Sequence, residues 1–138
     1  MKKINLQQYA KQAQETVGNK GNKKECAFAL YAVGIAKRGD NIPAEVKADV
    51  LDVQVKSSKS SLGKGDNMDA IIARDAAKRY AYVSEDYQAY LMSIEEYRAF
   101  TAKFAFVNYE SKKNGGATKM RLLPESGKML RWLEERVA

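Results

Sequence analysis

The stretch Leu51–Lys56 constrains the fold more than any other part of the sequence, because its apolar and polar side chains alternate. The two-residue period of a β-strand divides it into two sets: Leu51, Val53 and Val55 on one side, and Asp52, Gln54 and Lys56 on the other. The first set is predicted to face a core and the second to form a polar surface. The chain must therefore contain a β-sheet with a buried face at this position.

Helical periodicity and turn residues predict further elements around this strand. Helices are expected over about residues 5–16, 24–36 and 66–79 and from about 93 and 126, and strands over about 81–83, 87–92, 104–109 and 119–123. Residues 57–65 are predicted to be a loop of small residues. The predicted fold class is α/β (α+β), a central mixed β-sheet flanked by helices. We expect one domain, 1–138, with a core over about 20–110 and a C-terminal hairpin and helix over about 104–136.

The residue types that are missing exclude several kinds of chemistry. Histidine is absent and Cys26 is the only cysteine, so imidazole-dependent nucleophilic catalysis and the usual zinc sites are excluded. Any bound metal must be a hard cation with oxygen ligands, and Mg²⁺ is the leading candidate. The lone cysteine, the absence of a long apolar run and the glutamines near the N-terminus favour a cytoplasmic protein with no membrane partner.

The charge balance points to an anionic partner. The formal net charge is +7 and the isoelectric point is near 9.4, which favours binding to nucleic acid. Two basic stretches rich in small or turn-forming residues supply the candidate phosphate contacts: Ser57, Ser58, Lys59 and Lys64, and further along Lys112, Lys113 and Lys119. A solvated loop and a soluble turn are the alternative interpretations of these stretches.

The polar side of the predicted strand carries the strongest candidate for catalysis. Carboxylates and a lysine on one strand face suit metal-dependent phosphodiester hydrolysis, because oxygen ligands hold Mg²⁺ and a cation stabilises the charge that develops on phosphorus. Asp52, Gln54 and Lys56 lie on one such face. An ordinary amphipathic strand with its polar side in water is the alternative.

Gln54-Val55-Lys56, with Glu25 in a preceding predicted helix, resembles the signature of the PD-(D/E)XK nuclease superfamily. That family has the restriction-endonuclease-like fold, whose core runs helix, three-stranded meander, helix, strand. Its signature is an acid, then an acid or sometimes glutamine, any residue and lysine. The resemblance covers roughly residues 20–84 and places Glu25 at the helix glutamate of the family. The predicted strand at Tyr80–Val83 is similar to its last core strand.

The resemblance implies a Mg²⁺- or Mn²⁺-dependent endonuclease that acts on DNA. It implies catalytic roles for Lys56, Gln54 and Asp52, and metal ligation by Glu25, Asp52, Asp49 and Gln54. The family's Pro-Asp pair is absent, and three aspartates compete for the first acid, with Asp52 and Asp49 favoured over Asp40. A homodimer is expected, since small nucleases often need two copies to cut two strands.

Gln54 brings a carbonyl oxygen but no charge. A non-catalytic nucleic-acid-binding or regulatory protein on a nuclease-like scaffold is therefore the alternative function. For Glu25, the alternative is an acidic residue at the N-terminus of a helix that suits the helix macrodipole and binds no metal.

Overall fold

The structure is a computed structural model that describes residues 1–17, 23–34, 53–64, 67–75, 77–108 and 119–138. Within these ranges the chain forms five helices and seven strands. The helices are α1 (Gln7–Val17), α2 (Lys23–Val33), α3 (Met68–Asp75), α4 (Ile94–Phe104) and α5 (Gly127–Glu134). The strands are β1 (Lys2–Asn5), β2 (Val53–Lys56), β3 (Ser61–Lys64), β4 (Arg79–Val83), β5 (Gln88–Ser93), β6 (Ala105–Asn108) and β7 (Lys119–Leu122).

Four strands form a mixed sheet in the order β1-β5-β4-β2. β1 and β4 each pair with β5 in antiparallel fashion, and β2 pairs with β4 in parallel. The predicted α+β class and mixed sheet are confirmed. β1 is an addition that the sequence did not predict, because only Ile4 within its four residues is buried and the strand is formed through pairing with β5.

Helices α1 and α2 cover one face of this sheet. Their apolar side chains, such as Ala13, Phe28 and Leu30, join Val83 of β4 in one core cluster. The predicted second helix ends at Val33 rather than near residue 36, because Gly34 adopts a left-handed φ of 72° and donates its N–H to the Leu30 carbonyl at 2.9 Å.

A second sheet, in the order β3-β7-β6, lies with α3, α4 and α5 on the other side. The predicted hairpin is confirmed, since β6 and β7 pair in antiparallel fashion. The prediction of a loop over 57–65 is wrong for β3, which pairs with β7 and buries Leu62 in the core. Gly63 makes this possible: its φ is 137°, and a Cβ built there would stand 3.1 Å from Cγ2 of Ile71 in α3.

The remaining helix boundaries follow local signals. α4 begins with a capping box, in which the Ser93 side chain accepts from the Glu96 N–H and the Glu96 carboxylate accepts from the Ser93 N–H. Ser126 caps α5 with a single bond, in which its hydroxyl accepts from the Met129 N–H. α3 ends at Asp75, four residues earlier than predicted. None of the helices in the described ranges is long and apolar enough to cross a membrane.

Candidate functional site

Strand β2 places Gln54 and Lys56 on the face of the mixed sheet that looks toward the second sheet. In the parallel register Gln54 lies beside Tyr80 and Lys56 beside Tyr82, and both tyrosines belong to the core cluster on that side. Val53 and Val55 pack instead against the cluster formed by α1 and α2. The alternation predicted from the sequence is therefore confirmed for residues 53–56. The polar face is half-buried rather than open to water.

Lys56 is a half-buried cation with a specific partner. Its Nζ donates to the carbonyl oxygen of Ser61 at 3.1 Å, across the turn that connects β2 to β3. Burial lowers the pKa of Lys56, and the negative charges of Asp75 and Glu25 act in the opposite direction and raise it. The negative charges of two carboxylates, Glu25 in α2 and Asp75 in α3, therefore act on the Lys56 ammonium group.

Asp75, the last residue of α3, is a member of this site that the sequence analysis missed. Its Oδ2 accepts from the Tyr80 hydroxyl at 3.3 Å, so it is linked both to β4 and electrostatically to Lys56. The prediction of a helix through Arg79 placed Asp75 in a helix interior. The end of α3 at Asp75 brings the carboxylate next to the Tyr80 hydroxyl, and a helix predicted through Arg79 gives no sequence signal for that contact.

Tyr80 and Tyr97 stack face to face beside Asp75. Their ring centroids are 3.7 Å apart with an angle of 4° between the planes. The Tyr97 hydroxyl is buried, and no described residue supplies it with a hydrogen-bond partner. Burial raises the pKa of Tyr97, and the nearby Tyr80 and Asp75 raise it further. We refer to Lys56, Asp75, Tyr80 and Tyr97 as the Lys56 cluster.

The residues predicted to bind metal are only partly within the described ranges. Asp49 and Asp52, together with the less favoured Asp40, lie outside them. Glu25 lies in the first turn of α2, and its negative charge raises the pKa of Lys56. Gln54 lies two residues before Lys56 on the same face of β2. The described residues contain no group of three or more acidic or thiol side chains that could hold a metal ion. Glu25 and Gln54 are the predicted Mg²⁺ ligands that the structure describes, and ligation by Asp49 or Asp52 stays a prediction.

The serine-rich turn after β2 bonds largely within the protein. The Ser57 N–H donates to the Ser60 hydroxyl at 2.8 Å, and the Ser58 hydroxyl accepts from the Glu125 N–H at 3.0 Å. Lys59 is exposed at the tip of this turn with a φ of 63°. Of the predicted phosphate contacts in this turn, only Lys59 projects into solvent. The serines hold the turn in place.

The other predicted nucleic-acid contacts are divided between the second sheet and the undescribed part of the chain. Lys64 and Lys119 are exposed and directly opposite each other on β3 and β7. Lys112 and Lys113 lie outside the described residues. Cys26 is fully buried among the apolar side chains of α2, and burial raises the pKa of its thiol.

No protein-family model, curated protein or solved structure matches this chain. Inference about its function therefore depends on the geometry of its own residues.

Proposed function

We propose that this protein is a Mg²⁺-dependent nuclease that hydrolyses phosphodiester bonds in DNA. The observation that carries the proposal is the environment of Lys56, a half-buried ammonium group on which carboxylates from α2 and α3 act, on the same strand face as Gln54. Proteins seldom bury lysine unless it has partners or a role, and perturbed lysines are concentrated at functional sites. The basic surface and the resemblance of Gln54-Val55-Lys56 to the PD-(D/E)XK signature support the same function. A cytoplasmic location is part of the proposal.

The roles of the side chains follow from their chemistry. Glu25 and Gln54, with Asp52 or Asp49, would hold Mg²⁺, which supplies a Lewis acid and lowers the pKa of a bound water. Lys56 would place its positive charge next to the scissile phosphate, where negative charge develops in the transition state. The Ser61 carbonyl holds the Lys56 ammonium group at a fixed position on the sheet.

Asp75 acts in this proposal as a positioning residue. Its charge raises the pKa of Lys56 against the effect of burial and so keeps the ammonium group protonated. Asp75→Asn removes that charge, so the pKa of Lys56 falls further and the alkaline loss of cleavage moves to lower pH. A purely structural role would lower the rate without moving the pH profile, and a profile unchanged from wild type would exclude the positioning role.

The direct test is cleavage of supercoiled and linear DNA with Mg²⁺ or Mn²⁺. Lys56→Met keeps the length of the side chain and removes the charge, and we expect it to lower the cleavage rate by about 10²-fold or more. Lys11→Met is the matched control, because it removes one exposed lysine from α1 and should leave the rate unchanged. Absence of cleavage with every metal, or equal rates for the two variants, would refute the nuclease.

A non-catalytic nucleic-acid-binding protein is the second candidate, favoured by the uncharged Gln54 where a carboxylate would strengthen metal binding. It predicts salt-dependent binding that needs no metal. Calorimetric titration with Mg²⁺ distinguishes the two functions. A binding signal that disappears in Glu25→Gln supports the nuclease, and no signal in the wild-type protein supports the binding protein.

The proposal includes a homodimer, since cutting both strands of a duplex needs two sites. Light scattering coupled to size-exclusion chromatography measures the mass in solution. A monomer that still linearises plasmid in a single binding event would remove the dimer from the proposal.

A further inference from the structure

The outer face of the second sheet is formed by side chains that do not contribute to the core. Leu62, Met120 and Leu122 point inward and are buried. The residues between them on the same strands project outward and are exposed: Ser61 and Lys64 on β3, Lys119 and Arg121 on β7, and Phe106 on β6. The strand register makes these residues neighbours, because Arg121 lies opposite both Ser61 and Phe106.

The charges on this face are all of one sign. Lys64 and Lys119 are directly opposite each other, and Arg121 follows on the same side of β7 about 7 Å along the strand. The three strands contain no aspartate or glutamate, and within the described ranges none of the three cations forms a salt bridge. A fourth cation, Arg74 of α3, donates to the Lys64 carbonyl at the edge of the sheet.

Like charges that face each other across two strands destabilise a sheet. A bound polyanion removes that repulsion, because its phosphates neutralise Lys64 and Lys119 together. This face is therefore complementary in charge to a nucleic-acid backbone.

Phe106 adds an aromatic surface to this basic face. It is 42% exposed, one of three large apolar side chains in the described ranges that remain in solvent, and it lies directly across from Arg121. Leu123, which directly follows β7, is another of the three. An exposed aromatic ring beside cations is the arrangement on which unpaired bases stack. A duplex keeps its bases paired and offers Phe106 nothing to stack on.

We propose that the outer face of β3, β7 and β6 binds single-stranded nucleic acid. Phe106 stacks on a base, and Lys64, Lys119 and Arg121 contact the flanking phosphates. The inference goes beyond the proposed nuclease, because binding at this face needs neither metal nor cleavage. It also gives a role to Phe106 and Arg121, which are not among the phosphate contacts predicted from the sequence.

The test is fluorescence anisotropy in EDTA with labelled oligo-dT, oligo-U and a DNA duplex of equal length. Loss of one stacked base corresponds to about 5- to 150-fold weaker binding, so we expect Phe106→Leu to bind the single strands at least about 5-fold more weakly. Phe106→Tyr should bind normally. Tyr31→Leu is the matched control, since Tyr31 is the exposed aromatic residue of α2 and should not affect affinity.

The cations are tested through salt dependence. Each phosphate contact to a single strand contributes about 0.7 to the slope of log K against log salt concentration, so Lys119→Ala with Arg121→Ala should reduce the slope by about 1.4. Lys11→Ala should leave it unchanged.

Two results would overturn the proposal. One is wild-type affinity for single strands in Phe106→Leu. The other is that the duplex and poly-glutamate bind as tightly as the single strands do and that the variants weaken all of them equally. Because no metal is present, these outcomes are independent of the cleavage assay.

Discussion

Removing one oxygen atom from Tyr97 should make the protein more stable. The Tyr97 side chain is 1% exposed, and within the described part of the chain its hydroxyl has no hydrogen-bond partner. A hydroxyl buried without a partner costs about 1–3 kcal/mol in proteins, so Tyr97→Phe should raise the free energy of unfolding by about 1–2 kcal/mol. The phenyl ring keeps the stacking on Tyr80.

Tyr80→Phe is the matched control, because the same chemical change in the adjacent ring should have the opposite effect. It removes the hydrogen bond from the Tyr80 hydroxyl to Asp75. A hydrogen bond to a charged group contributes about 1.5–3 kcal/mol, and the 3.3 Å length and the exposure of Asp75 reduce this to about 1 kcal/mol. The two variants should therefore differ by about 2–3 kcal/mol in unfolding free energy.

The assay is equilibrium unfolding in urea followed by the fluorescence of Trp132, the only tryptophan, which packs against Phe100 and Phe104 in the core. If Tyr97→Phe lowered the free energy of unfolding by about 1 kcal/mol or more, the hydroxyl would have a partner and the reasoning would be refuted. If the hydroxyl serves the Lys56 cluster, the more stable Tyr97→Phe should also cleave DNA more slowly, since functional sites often retain groups at a cost in stability.

Three further changes test other parts of the structure. Ser93→Ala removes half of the capping box of α4 and should lower the unfolding free energy by about 1 kcal/mol in the same urea assay. Gly63→Ala should lower it by about 1–3 kcal/mol, because alanine is strained at a φ of 137° and its Cβ presses on Ile71; an unchanged melting temperature would contradict this. Hydrogen bonds from Lys3 and Tyr90 lower the pKa of Glu134 in the folded protein below its value in the unfolded chain. The stability that Glu134 contributes above its unfolded pKa is therefore lost as the pH falls through its folded pKa. Glu134→Gln should flatten this acid loss below about pH 4.5, measured by thermal melts across pH.

Local signals in the sequence were sufficient for much of the fold. Ser93 with Glu96, and Ser126 before an apolar stripe, fix where two helices begin, because a cap is satisfied within four residues. The alternation at Val53–Lys56 likewise predicts a strand whatever its neighbours are. Five tyrosines, at 80, 82, 87, 90 and 97, are more typical of a core than of a base-stacking surface. Four of them are buried, and Tyr87 is only partly buried against the cluster formed by α1 and α2.

What the sequence could not predict depends on contacts between distant residues. β1 forms because Ile4 lies opposite Ala89, and β3 forms because β7 pairs with it some 57 residues later. Asp75 belongs to the candidate site because α3 ends at this residue and the Tyr80 hydroxyl of β4 donates a hydrogen bond to its carboxylate. Ser61 and Gly63 make β3 resemble a loop in isolation, since a strand of this composition is stable only when its partner is in place.

The strand order of the mixed sheet has a consequence for how the protein folds. β4 and β5 are adjacent in the chain and occupy the centre of the sheet, so this hairpin can form from local contacts. β2 and β1 join its two sides only by closing long loops, and those steps are slower. On the ribosome, Lys56 is synthesised well before Asp75, Tyr80 and Tyr97. A nascent chain therefore carries the lysine without its cluster until α4 has emerged, and we expect the site to assemble late in synthesis.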